Sequence, residues 1–194
     1  MPNKNTIMAY KTPIVTNTKG EIPVIKRVPN EAYALVTQNI PIFTVDVVIK
    51  IKKGVLLGQR INDPAKGYHF TMGSRMFKGE VSFEDVAIRT ARDEAGAVVE
   101  IIRPIGQYNI IFTKAYQNMT VPAHYVNLVF LAEKIGESSI FNPNASDLSK
   151  FVHITSLDQI ELHPEIYEIL KDSAVFEKNW RDKREFVLKN LIWE

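Results

Sequence analysis

Residues 82–96, "SFEDVAIRTARDEAG", are bounded at both ends as one helix, and every reading of this chain must place that helix among strands. Ser82 can accept a hydrogen bond from the first turn, Glu84 and Asp85 suit its positive end, and Gly96 suits a left-handed exit. Before it, "FTVDVVIKIKKGVLLGQRI" (43–61) is dense in β-branched residues, and a Lys-Lys-Gly turn divides it into a hairpin. A Pro-containing loop, "NDPAKG", leads to a strand at "YHFTMG". After the helix, strands are expected at "AVVEII", "GQYNIIF", "AHYVNLVFLAEK" and "FVHITSL". Two closing helices are expected at "HPEIYEILKDS", with Pro164 in its first turn, and "FEKNWRDKREFVLKNLI". In the second, Phe176, Trp180, Val187 and Leu191 form a stripe that suits either the core or a homodimer contact. Strands, helix, strands, helices in that order predict an α+β layered fold.

Within the central helix, Ile88, Ala91 and Ala95 are expected to share the apolar face. Thr90, Asp93 and Glu94, at i, i+3 and i+4, then share another. Adjacent carboxylates on a helix are either a solvated surface or a platform for a divalent cation. Magnesium accepts that arrangement, because it commonly bridges one or two carboxylates to substrate phosphates.

Composition removes several function classes. The chain has 194 residues, enough for one domain with a sizeable core, and a formal net charge of +2. That balance argues against nucleic acid or a membrane as partner, since such footprints are concentrated basic patches. With no cysteine, there is no disulfide, thiolate metal site or cysteine nucleophile. The amino terminus "MPNKNTIMAYKTPIV" lacks the apolar core of a signal peptide, and no later run is long enough for a bilayer, so a cytoplasmic location is expected. Residues 1–30 are expected to be an irregular N-terminal arm preceding a domain of residues 31–194.

"GSRMFKGE" (73–80) and "RTARDEAGA" (89–97) together resemble the Nudix box. Its usual pattern is Gly, five residues, Glu, seven residues, then Arg-Glu-apolar-any-Glu-Glu-any-Gly-apolar. Ser74 stands in the place of the glycine and Glu80 falls where it should. Arg89, Asp93, Glu94, Gly96 and Ala97 follow, with one extra residue before Arg89. Thr90 stands where ordinary Nudix phosphohydrolases carry a glutamate, and a hydroxyl supplies neither a charged ligand nor an effective base near neutral pH.

Residues 31–157 resemble one branch more closely, the GDP-mannose mannosyl hydrolases, through "LLGQRINDPAKGYHFTMGSR" and "AHYVNL". The resemblance implies the Nudix fold, a mixed sheet sandwiched between helices (α/β/α). It also implies a magnesium-dependent hydrolase, with manganese as the alternative ion. The substrate would be a nucleoside diphosphate sugar of the GDP-mannose kind, broken at the anomeric carbon rather than at phosphorus. Glu94 and the Gly73 carbonyl are then metal ligands, joined by Asp93 and Asp147; Arg60, Arg75 and Tyr125 contact the diphosphate; Asp46 lies on the sugar side. The family's metal-binding glutamine and its histidine base fall on Asp147 and Leu148, and a supporting histidine falls near Lys114. Leucine accepts no proton, so the residue left as a substitute base is Asp147, through a small shift of loop register. Each of His69, His124, His153 and His163 reads as a packed or hydrogen-bonded residue. Two alternatives stay open: a domain that binds a nucleotide or partner without turnover, and a conventional pyrophosphohydrolase attacking phosphorus.

Overall fold

The computed structural model describes residues 30–112, 122–138 and 148–193. Eleven elements follow in chain order: α1 (Asn30–Asn39), β1 (Ile42–Ile51), β2 (Gly54–Arg60), β3 (His69–Phe70), β4 (Met72–Arg75), α2 (Phe83–Ala95), β5 (Ala97–Phe112), β6 (Ala123–Glu137), β7 (Leu148–Ile154), α3 (Pro164–Ser173) and β8 (Val187–Trp193). The fold is α+β, as expected: one mixed sheet with helices against both faces. Among the described residues no helix is long and apolar enough to cross a membrane.

β1 organises the sheet. Its apolar, β-branched sequence suits a strand covered on both faces. It runs parallel to β6, from Ile42 opposite Tyr125 to Lys50 opposite Glu133. On its other side it pairs first with β4 (Thr44 to Val47) and then with β2 (Ile49 to Ile51). The remaining order is β3-β2-β1-β6-β5-β8, with β7 also against β2.

Strand alternation sorts β1 into two faces. Phe43, Val45 and Val47 look toward α2, whose Phe83 ring lies 5.2 Å from that of Phe43. Thr44, Asp46 and Val48 look toward α3, which Tyr108 of β5 reaches by donating a hydrogen bond to Asp172 (3.0 Å). His163 caps α3 by accepting from the Glu165 N–H (3.3 Å), and its ring packs against Phe70, Phe112 and Trp193.

Three expectations need correction. First, α2 does not bury Ile88, which is 39% exposed. Its sheet-facing stripe is Val86, Ala87, Thr90 and Ala91, and Thr90 belongs there because its methyl packs like valine's. Second, "FEKNWRDKREFVLKNLI" is not a helix. Residues 174–182 form turns, and β8 runs parallel to β5. The four-residue spacing of Val187 and Leu191 equally fits a period of two. Val187, Lys189, Leu191 and Trp193 turn inward while Leu188, Asn190 and Ile192 stay exposed. Lys189 then sits between Glu168 (2.8 Å) and Asp172 (2.6 Å) of α3, fastening strand to helix. Third, "AVVEII" and "GQYNIIF" are one long strand, β5, interrupted by bulges around Pro104. The arm 1–29 lies outside the described residues.

The β1–β2 turn demands glycine. Gly54 adopts φ +119°, and a Cβ there would stand 2.0 Å from the Ile154 carbonyl oxygen. We predict that Gly54→Ala lowers unfolding free energy by at least about 2 kcal/mol, from backbone strain plus displacement of β7. Urea denaturation measures it, and a loss below about 0.5 kcal/mol would contradict this account of the turn.

Candidate functional site

The loop between β4 and α2 is held to the helix by one ion pair. Arg89 donates through Nε to Glu80 Oε1 (2.6 Å) and through Nη2 to Glu80 Oε2 (3.1 Å), a bidentate clamp. The same guanidinium reaches Ser74 Oγ (3.1 Å) and the Arg75 carbonyl (3.1 Å), and lies 4.1 Å from the Phe77 ring centroid. Glu80 Oε2 also accepts the Phe77 N–H (2.6 Å). Glu80 and Arg89 therefore shape the loop, and Ser74 supports them with its hydroxyl.

At the other end of α2, the Glu94 carboxylate accepts the Gly73 N–H (3.1 Å). Gly73 stands opposite Asp46 in the ladder, and a Cβ on it would lie 2.3 Å from Asp46 Oδ1. Only glycine permits that approach. Asp46 is 8% exposed and its Oδ2 accepts from the Thr71 hydroxyl (2.9 Å). Burial pushes its carboxyl up to about 6, opposed by hydrogen bonds from Thr71 and Asn127 and by the Arg60 charge.

Arg60, at the end of β2, donates to the Pro64 carbonyl (2.7 Å) and lies 5.1 Å from the Phe70 ring centroid. Arg75, at the end of β4, stacks over Tyr33 of α1 at 4.9 Å. Tyr125 of β6 meets Phe112 edge-on at 6.1 Å. Both guanidiniums are thus steadied by aromatic faces, an arrangement arginine favours. Asp46, Arg60, Arg75 and Tyr125 all belong to the sheet side that faces α3, whereas Glu94 approaches from α2.

The other expected residues divide. Asp93 is held by its neighbour Arg92 (2.7 Å) in a partly exposed pair. Asp147 and Lys114 lie outside the described residues. Leu148 opens β7, pairs with Arg60 and is a buried core residue. Thr90 is fully buried, and its hydroxyl has no hydrogen-bond partner among the described residues. His69 is half-buried, and burial lowers its pKa; His153 is exposed on β7. Burial and the Arg60 charge hold His163 down at about 4, so it caps α3 as a neutral ring.

One acid of this region went unread in the sequence. Glu165, in the first turn of α3, is 3% exposed, and its Oε2 has no hydrogen-bond partner among the described residues. Burial, and next the Asp46 charge, push it up to about 8 against the pull of Arg60. An acid after His-Pro reads as an exposed partner of the helix dipole, so nothing in the sequence flags its burial.

Among the described residues no three His, Asp or Glu side chains converge as a metal cage. The donors suggested by resemblance, the Glu94 carboxylate and Gly73 carbonyl, are all oxygen and few. Such a set fits magnesium, which keeps several waters and draws further ligands from phosphate.

The family model described as NUDIX domain matches residues 41–173. The low-salt glycan biosynthesis protein Agl8 of Haloferax volcanii is 33% identical over 104 residues, covering 54% of this chain and 66% of that protein. The chain thus spans just under two thirds of that relative's length. A NUDIX hydrolase structure from Nitrosomonas europaea superposes with a TM-score of 0.54 at 17% identity, covering 78% of this chain and 79% of the other. The NUDIX domain of Shewanella oneidensis NrtR, solved with ADP ribose, gives 0.50 at 17% identity, covering 75% and 97%. At such identities the structural likeness speaks for the fold.

The burial of Thr90 yields a prediction. Thr90→Val removes an unpartnered hydroxyl from the core and is expected to raise stability by roughly 1 kcal/mol, whereas Thr90→Glu places a charge there and costs several. Chemical denaturation separates the two, and a destabilised valine variant would show that the hydroxyl is satisfied after all.

Proposed function

The chain belongs to the NUDIX domain family of hydrolases, and from that premise we propose that it acts on a nucleoside diphosphate sugar, with magnesium, by cleavage at the anomeric carbon. The observation that carries this reading is the grouping of Asp46, Arg60, Arg75 and Tyr125 on one side of the sheet, with Glu94 hydrogen-bonded to Gly73 at its margin. Those are the residues that the mannosyl hydrolase pattern assigns to sugar, diphosphate and metal. A relative named for glycan biosynthesis supports a sugar-bearing substrate.

Cleavage at carbon divides the labour simply. Arg60 and Arg75 bind the diphosphate through planar forks, and the Tyr125 phenol donates to it, so charge arriving on the phosphate oxygens is met as the bond lengthens. Asp46 faces the sugar and orients its anomeric carbon toward water. Magnesium, when held by Glu94 and the Gly73 carbonyl, supplies positive charge beside the departing diphosphate. Such chemistry needs fewer ions than attack at phosphorus, which makes a buried threonine at position 90 tolerable. Asp93, tied to Arg92, is an auxiliary to this set, and Asp147 remains a candidate ligand and base in the loop before β7.

A second reading is favoured by Leu148, an apolar residue where the pattern has its base: a domain that binds a nucleotide sugar without consuming it. The two diverge in one assay. With magnesium and a panel of nucleotide sugars, phosphorus NMR is expected to show nucleoside diphosphate and free sugar. Glu94→Gln is expected to slow this by about 10²-fold or more, as loss of a transition-state electrostatic group does. Nucleotide sugars that raise the melting temperature yet stay intact would establish the second reading. Nucleoside monophosphate with sugar phosphate would place the attack at phosphorus.

A further inference from the structure

The site as read so far lacks a described group that activates water. Leu148 cannot do so, and Asp46 is poorly suited, with its carboxylate already hydrogen-bonded by Thr71 and Asn127. Glu165 differs. It is almost wholly buried, one of its oxygens lacks a partner among the described residues, and it lies within electrostatic reach of the Asp46 carboxylate and the Arg60 guanidinium. Leu148, at the expected base position, stands opposite Arg60 in the β2–β7 ladder, so that position adjoins the strand end that carries this guanidinium. As a mere partner of the helix dipole, a glutamate would do as well in solvent, without the cost of burying a carboxyl. A depression of about 330 Å³, lined in part by Tyr68, His69 and Glu161, opens beside the His163 cap, and Tyr68 meets the His163 ring edge-on at 5.3 Å.

We infer that Glu165 is the general base, taking the proton from the water that attacks the anomeric carbon. This rests on the nucleotide-sugar reading above. The water oxygen bonds to the anomeric carbon as its proton passes to the Glu165 carboxylate. The carbon–oxygen bond to the diphosphate breaks with its electron pair, the diphosphate leaves as an anion, and Glu165 later returns the proton to solvent. No further reactant is needed.

The charged groups around it set the pH dependence. Asp46 from β1 raises its proton affinity and Arg60 from β2 lowers it, with burial the largest influence. His163 beside it is neutral, while Lys189 of β8 and Tyr108 of β5 engage Glu168 and Asp172 further along α3. Because the carboxyl is held up to about 8, the base form grows as pH rises from 6 toward 9, so kcat rises over that window.

The test compares wild type with Glu165→Gln, using GDP-mannose and magnesium, following nucleoside diphosphate release across pH. The glutamine variant is expected to lose about 10²- to 10⁴-fold in kcat with KM little changed, and to lose the rising pH limb, a signature that a structural role would not move. Wild-type kcat in the variant, or an unaltered pH limb, overturns the assignment and leaves the nucleotide-sugar reading standing. A wild-type protein that releases no nucleoside diphosphate at any pH overturns both. Should the glutamine variant fail to fold, Glu165→Asp, with its acid drawn back by one methylene, must lower kcat while KM holds; wild-type kcat there overturns the assignment.

Discussion

The rest of the structure hangs on the contact between Asp46 and Gly73. Two strands meet there so closely that no side chain fits on β4, and the freed Gly73 amide is taken by a carboxylate from α2. One joint thus binds the central strand, its antiparallel neighbour and the sole helix on that face among the described residues. It also fixes the distance between the acid on the α3 side and the acid at the sheet's margin. If β4 slipped by a residue, its side chains would exchange faces and Met72 or Ser74 would stand opposite Asp46 in place of glycine. The Glu80–Arg89 clamp serves the same end from the opposite side, pinning the loop that leaves β4 for α2.

Electrostatics divides the two faces unequally. The residues that α2 buries are apolar apart from Thr90, whereas the α3 face carries two buried carboxyls and a guanidinium within mutual influence. Burying Asp46 and Glu165 together opposes stability, because like charges in a dry setting disfavour each other's ionised forms. Arg60 offsets part of that, and proton uptake offsets more. A fold that tolerates such a pair holds groups poised to exchange protons, a property associated with chemistry rather than with packing. Arg103 is a contrasting case: it is buried as well, yet donates to the Ser173 carbonyl (2.7 Å) at the far end of α3, a position that serves the helix terminus.

How far the sequence announced this depends on the range of the interaction. The ends of α2 were legible because caps are local: Ser82 accepts the Asp85 N–H, and Gly96 takes the left-handed conformation at φ 62°. The β1–β2 hairpin was legible from its turn. The inward face of α2 was misjudged because Thr90 counts as polar in a pattern and as a methyl in a core. β8 was misjudged because residues four apart satisfy both periods, and only docking on β5 and α3 decides between them. α1 carries no cap strong enough to announce itself. At the site, motif order carried Asp46, Arg60, Gly73, Arg75, Glu94 and Tyr125 forward as expectations, and the structure sets all but Glu94 and Gly73 on one sheet side. Glu165 was beyond reach, because the groups that bear on it, Asp46 of β1 and Arg60 of β2, lie more than a hundred residues earlier in the chain.

The central claim is that this site breaks a bond to carbon. Hydrolysis in water enriched in oxygen-18 tests it most directly, with mass spectrometry on both products. The account predicts the label in the released sugar and none in the nucleoside diphosphate. Label appearing in a phosphate group instead would contradict it, because the attacked atom would then be phosphorus.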